Sequence, residues 1–364
     1  MGATRTVLTL AGLVVVIAGL RAAGGFFLPL LAAMFIAVVS APFLTWLEKV
    51  RVPRGLAIVL TILLDVAVLA GLIALVATSL SGLSEALPRY ERAIGELIQT
   101  TVASLRARGL EISEADVRGL GDPAAVLKVI TELLRELSSI VSNALLVVLL
   151  VAFMLFELAS GRKKLAILLG APRGKVGKLA QAAAKVQRYL IVKTLLSITT
   201  GLLFGLGLWL LGVDFPILWG LLAFLFNYIP SIGPALATVP PVIIALLTLG
   251  PGPALAATGG CLVVNVAVGN VAEPRLMGEA LGLSTLVVFT SMLFWGWLWG
   301  PVGALLAVPL TMLLRNALET SDETRWLAVM LGSSEWVEAK REEWDWPAVA
   351  EQSASGTLEA PKPE

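Results

Sequence analysis

The chain has 364 residues, 57% of them hydrophobic and only 15% charged, with a mean hydropathy of +0.89 and a net charge of +1. A soluble protein of this length needs far more charge to cover its surface, so the composition excludes that class and requires a polytopic integral membrane protein. The lack of histidine removes the commonest general base and metal ligand, and the single Cys261, in an apolar run, excludes a disulfide framework and any multi-cysteine metal site.

At the N-terminus, Arg5 precedes an apolar run from Val7 to Leu20, followed by Arg21 and Gly24-Gly25. The cleavage signal is poor and a second apolar run follows at once, so a retained transmembrane helix is expected rather than a secretory signal. Crossing the hydrocarbon core takes about 20 apolar residues. Candidate spans lie at 7–23, 26–47, 55–83, 138–160, 193–213, 216–249, 254–271 and 283–315. The expectation is therefore an all-α fold of about eight transmembrane helices with a broken sixth segment and a small external helical insertion.

Four regions follow: the first three transmembrane helices (1–83), the external insertion (84–137), the transport core (138–318) and an acidic, Trp-containing tail (319–364). In the insertion, Ile94, Leu97, Ile98, Thr101 and Leu105 recur at helical spacing. Asp122-Pro123 then reads as an N-cap with proline at the first helical position, starting a helix past Ile130, Leu133, Leu134 and Leu137. Residues 161–193 hold nine Lys and Arg and no acid, a cytoplasmic signal that also puts the N-terminus and the Lys49–Arg54 turn inside. An eight-span count returns the C-terminus to the cytoplasm, whereas a re-entrant sixth segment would reverse it. Within the basic region, 172–192 reads as an amphipathic helix at the membrane surface, with Leu179, Ala183, Val186 and Leu190 opposite Lys178, Lys185 and Arg188. The end of the tail, 351–364, has the composition of a disordered segment, and Trp326, Trp336, Trp344 and Trp346 could anchor the part before it at the membrane surface.

The sixth segment carries Asn227-Tyr228-Ile229-Pro230-Ser231-Ile232-Gly233-Pro234. Each proline removes a backbone N–H, and Gly233 permits angles a helix does not use. Irregular backbone at that depth survives only against protein or a water-lined cavity, and broken helices of this kind serve transporters as solute sites. A simple proline kink is the alternative. Asp65, amid Leu63-Leu64 and Val66-Ala67, is the candidate ion-coupling carboxylate; a hydrogen bond to a neighbouring helix would also account for it. Glu157 reads as an interfacial residue. A further constellation runs through Asn265, Asn270, Glu273, Pro274 and Gly278, in which Glu273 could pair with Arg275 or meet a cationic group on a solute. No nucleotide-binding loop is present, which excludes an ATP-driven pump within this chain.

Two blocks, Asn227-Tyr-Ile-Pro-Ser-Ile-Gly-Pro234 and Glu273-Pro-Arg-Leu-Met-Gly278, resemble the signature blocks of the AI-2E family of bacterial and archaeal membrane transporters. Leu281–Leu286, the Trp295–Gly303 block and Ala307-Val-Pro-Leu310 resemble the family's following segment, and the fit covers roughly 10–320. The acidic tail lies outside that pattern. The family takes its name from export of the signal autoinducer-2, and some members are described as sodium or proton antiporters. The resemblance implies a transporter or permease; joined to the residue reading, the leading expectation is an exporter or antiporter in the cytoplasmic membrane moving a small polar solute or Na⁺/H⁺, with the substrate path at Asn227, Tyr228, Pro230, Gly233, Pro234, Asn265, Asn270, Glu273, Pro274 and Gly278. No cofactor, metal or nucleic-acid partner is expected. An uncoupled, channel-like permease is the nearest alternative, and a scaffold acting through tail and insertion is another. An intramembrane enzyme is disfavoured by the lack of histidine, an Asp dyad and a Gly-x-Ser-x-Gly motif. The pair Gly201/Gly205 can pack helices within or between protomers, which leaves a homo-oligomer open.

Overall fold

A computed structural model describes residues 2–107, 144–169, 175–230, 232–277, 282–319, 321 and 323–341. The expected helix start at Asp122-Pro123, the stripe Ile130–Leu137, Ser231, Gly278, Trp344, Trp346 and the end of the tail lie outside the described residues. Within them the chain is all-helical apart from one isolated bridge between Leu283 and Gly332.

Helices α1 (Gly2–Ala22) and α2 (Gly24–Lys49) are separated only at Ala23, and α3 (Arg54–Ala107) follows. At 54 residues α3 measures roughly 80 Å, more than twice the bilayer core, so it projects well beyond it. The helix runs past residue 83 into the segment read as an external insertion, with Pro88 inside it. Helix α4 is Ala144–Leu169 and α5 Lys175–Leu210; the amphipathic helix expected at 172–192 is the first half of α5 rather than a separate surface element. Next come α6 (Pro216–Phe226), α7 (Gly233–Leu249) and α8 (Pro251–Asn265), a π-helical turn (Val266–Ala272), then α9 (Glu273–Met277). The last helices are α10 (Thr285–Leu305), α11 (Ala307–Glu319), α12 (Arg325–Leu331) and α13 (Ser334–Arg341).

Five stretches are long and apolar enough to cross a bilayer: Gly24–Lys49, Arg54–Leu83, Ala183–Leu210, Pro251–Met277 and Thr285–Leu305. Shorter apolar helices occupy Ala144–Glu157, Pro216–Phe226 and Gly233–Leu249. Their outward faces carry Leu145, Leu202, Leu206, Trp209, Leu255 and Leu286, all well exposed. Such a continuous apolar exterior fits a lipid surround and not water.

The path of the broken segment follows from its contacts. Helix α6 runs antiparallel to α5, because Gly220 meets Gly201 while Asn227 and Tyr228 reach back to Ser197 and Thr194. The chain then turns over at 227–232, and α7 returns along α3. Its Ile244 and Ala245 share a core cluster with Leu83, Tyr90 and Val213, residues at the α5–α6 end. Helix α8 descends again. Ala254 and Ala257 lie in that same cluster, whereas Val268 and Met277 belong to a second one with Val186, Tyr189 and Leu190. So α6 and α7 form a helical hairpin about the 227–232 turn. A third cluster joins α2, α4 and the start of α3 through Ala33, Ala37, Leu44, Ile58, Val151 and Leu155.

The candidate span 283–315 is also two elements. Non-helical angles at Trp299 and Gly300 (φ +65°), then a turn at Leu306, fold α11 back on α10, where Trp295 Nε1 donates to Thr311 Oγ1 at 3.0 Å. Trp299 Nε1 donates to the Leu20 carbonyl at 3.0 Å, satisfying an orphan group at the end of α1. On the side where α6 begins, Arg89 and Tyr90 both donate to Asp214, whose backbone carbonyl accepts from Trp219 Nε1 at 2.8 Å. Burial, with the Asp214 carboxylate adding to it, pushes the Tyr90 phenol above its usual range, so it remains a donor.

The first part of the tail is docked. Gly282 (φ +53°) leaves room for Arg315, which is buried, donates to the Gly282 carbonyl and lies 4.5 Å from the Trp336 ring centroid. Ser333 N donates to Gly282 O at 3.0 Å and Ser284 N to Leu331 O at 3.2 Å. Trp336 is therefore a core residue rather than a membrane anchor, whereas Trp326 is exposed.

The closest helix approach is also the most exacting. A Cβ on Gly220 would sit 2.7 Å from Gly201 O, and one on Gly201 2.7 Å from Gly220 O. Gly220→Ala should cost about 1–3 kcal/mol and lower the midpoint of thermal unfolding in detergent, whereas Gly207→Ala, with nothing within 4 Å, should leave it unchanged.

Candidate functional site

The α6–α7 tip is built by local backbone bonds. Ile229 N donates to Phe226 O at 2.8 Å and Gly233 N to Ile229 O at 3.2 Å. A Cβ on Gly233 would lie 1.9 Å from Phe226 O, so only glycine permits the chain to reverse here. Pro234 then occupies the first turn of α7, where a missing N–H costs nothing.

Helix α5 faces this tip with a polar stripe in its mostly apolar second half. Asn227 Nδ2 donates to Ser197 Oγ at 2.9 Å, and Tyr228 Oη donates to Thr194 Oγ1 at 2.8 Å. The Thr194 hydroxyl passes its own proton to Leu190 O at 2.7 Å. The Tyr228 ring is held edge-on by Phe35 and Phe224, 5.5 and 5.8 Å away. On the same stripe Lys193 is almost fully buried, and its ammonium donates to both oxygens of Glu273, at 2.6 and 2.8 Å. Tyr189 is buried beside them, close enough to interact electrostatically with Glu273 and Tyr228.

Glu273 thus takes a partner other than the Arg275 or solute cation considered from the sequence; Arg275 is exposed. The carboxylate is presented by the π-helical turn, whose wider winding ends at Glu273. Of the other path candidates, Tyr228 and Gly233 are buried and Asn227, Pro230, Pro234 and Asn265 half-buried. Asn265 Nδ2 donates to Thr238 Oγ1 at 3.4 Å. Asn270 and Pro274 are exposed and do not join the cluster. Asp65 lies apart, on α3 against α2, where Ser40 Oγ is 2.6 Å from its Oδ1 and Oδ2 has no hydrogen-bond partner among the described residues.

Sequence reasoning missed Lys193, Thr194, Ser197 and Tyr189. Their signal was available: Tyr189, Lys193 and Ser197 recur every four residues, one face of a helix that is otherwise apolar beyond Leu190. An apolar pocket of ≈ 130 Å³ between α2, α5 and α11, lined by Phe35, Val186, Leu190, Leu306 and Pro309 among others, adjoins this region but offers a polar solute little.

What the arrangement can do is bind and switch. A buried ion pair offers a solute two opposite charges, each needing a replacement partner once the pair opens. Two backbone ends and several hydroxyls surround it, as at solute sites built on discontinuous helices.

Residues 10–323 match the model of the AI-2E family transporter. The chain is 39% identical over 327 residues to the AI-2 transport protein TqsA of Escherichia coli (strain K12), covering 90% of this chain and 95% of that protein. It is 38% identical over 325 residues to the putative transport protein YhhT of the same strain, covering 89% and 93%. A putative transport protein of Haemophilus influenzae is 36% identical over 337 residues, covering 91% and 97%.

Lys193→Met alone should destabilise the protein by about 3–5 kcal/mol, because it strands a half-buried carboxylate; adding Glu273→Leu should recover most of that loss. Thermal unfolding of the two single variants and the double variant in detergent measures it.

Proposed function

The chain belongs to the AI-2E transporter family, and we propose that it moves a small polar solute across the cytoplasmic membrane, either an autoinducer-2-like compound or a cation exchanged for protons. That it is a multi-pass membrane protein of a transporter family follows from the family match and the apolar helices. The observation that carries the proposal is the meeting of the α6–α7 tip with the buried Lys193–Glu273 pair. Asn227, Tyr228 and Asn265 supply neutral hydrogen bonds to a polar solute, while Lys193 and Glu273 supply charge. The name of TqsA supports the autoinducer-2 class of cargo.

The re-entrant path also bears on topology. With α6 and α7 counted as a hairpin that does not cross, and α10 and α11 as separate passes, the number of crossings stays even. Both termini then lie in the cytoplasm, with the basic start of α5 and residues 84–137 on opposite sides of the membrane.

Reconstituted liposomes test the reading. Autoinducer-2 or Na⁺ flux, with internal pH followed throughout, should appear with wild type. Tyr228→Phe should reduce the rate by about tenfold, the value of one buried hydrogen bond made to the moving species. Absence of flux for both cargo classes in a folded preparation would count against transport by this site.

A further inference from the structure

Asp65 has a contact that the solute site does not use. Ser40 Oγ lies 2.8 Å from the Ile36 carbonyl and 2.6 Å from Asp65 Oδ1. A hydroxyl has one proton. If Asp65 were ionised, that proton would be divided between two acceptors, and the second carboxylate oxygen would have no partner among the described residues. A charge so placed in an apolar span is expensive. If the carboxyl carries a proton, it donates to Ser40 Oγ, and Ser40 donates to Ile36 O. Both short contacts are then satisfied.

Among the described residues the surroundings hold nothing to offset a charge. Helix α2 contributes Ser40 and apolar side chains, and its own Glu48 and Lys49 lie at its far end, where Glu48 pairs with Arg54. From α4 come Val147, Val151 and Leu155; its nearest ionisable residue, Glu157, is exposed. Helices α6 and α7, which also pack on α3, contain no ionisable residue. No salt bridge includes Asp65 among the described residues. The position is nonetheless not sealed. On α3 the inward stripe passes from Ile58 through Asp65 and Leu72 to Val76 and Leu83, and Asp65 falls between the cluster holding Ile58 and the cluster holding Val76. It is half-buried at the seam of the two.

The same geometry limits what can bind. Hard metal cations take about six or more oxygen ligands. Beyond its own carboxyl, Asp65 has Ser40 Oγ, and the nearby Thr61 hydroxyl is committed to Ala57 O at 2.8 Å. We propose that Asp65 is a proton-binding site, protonated in the arrangement described, and that H⁺ is the ion it couples to transport. The coupling half of this proposal rests on the transport reading above; the proton site does not.

The test has two readouts. Dicyclohexylcarbodiimide reacts with protonated carboxyls in apolar surroundings: the carboxyl proton passes to a reagent nitrogen and the carboxylate oxygen adds to the central carbon, so the whole reagent is gained. Purified protein in liposomes, treated across a pH series with and without Na⁺ and mapped by peptide mass, should carry the adduct at Asp65. Labelling should fall as pH rises, ignore Na⁺ at fixed pH, and vanish in Asp65→Asn. No adduct at any pH, or one suppressed by Na⁺, overturns the proton site. In parallel, solute counterflow at equal pH should survive in Asp65→Asn while uptake driven by a pH gradient is lost. Gradient-driven uptake that persists in Asp65→Asn overturns the coupling. A wild type that is labelled yet moves no solute overturns the transport reading and leaves the proton site standing.

Discussion

A backbone that reverses inside an apolar slab must find partners for every N–H and C=O the reversal frees. The rest of this structure is arranged around that requirement. Helix α5 meets it: its glycines let α6 approach to backbone contact, and its hydroxyls receive the side chains of the tip. The tip closes its own turn with Ile229 and Gly233 amides. Helices α2, α6, α8, α9 and α11 all pack on α5, so the helix that satisfies the break is also the scaffold of the protein. Gly201 and Gly205 are consumed in this packing within one chain, with Gly205 facing Pro216 and Gly220.

Charge is handled differently at the two ionisable positions. Lys193 and Glu273 offset one another with two short contacts and hold α5 to the π-helical turn, beside the apolar cluster that Val268 and Met277 make with Val186 and Leu190. Asp65 has only a hydroxyl and sits where the α2–α4 cluster meets the larger core. A paired charge fixes the relative position of two elements. The lone carboxyl at the seam has no charged partner among the described residues and fixes no such joint.

The break at Asn227–Pro234 was legible because Pro and Gly act on the backbone directly, whatever surrounds them. The family blocks were legible for the same reason: they are rich in residues that set backbone shape. The hairpin path of α6 and α7 was not, since its direction depends on contacts with α3 and α5 made by distant residues. Lys193 was counted with the basic loop because the positive-inside rule weighs charge along the chain and takes no account of burial. The continuous α3 escaped because hydropathy falls after residue 83 while the helix itself runs on to Ala107, with Pro88 inside it. Trp336 in the tail gave no periodic signal at all. Its place is set by Gly282 and Arg315, some 50 and 20 residues earlier by the numbering.

That distance has a bearing on how the molecule is made. The ribosome delivers α2, α5 and the α6–α7 hairpin before Gly332–Trp336. Until those residues emerge, Gly282 keeps its backbone carbonyl and the Arg315 guanidinium without the ring and amide that later cover them. The contacts that cover Gly282 therefore form only after α10 and α11 have been made. A chain cut short before Gly332 lacks the amide and ring that cover Gly282 and Arg315, a mark by which such a copy differs physically from one that carries them.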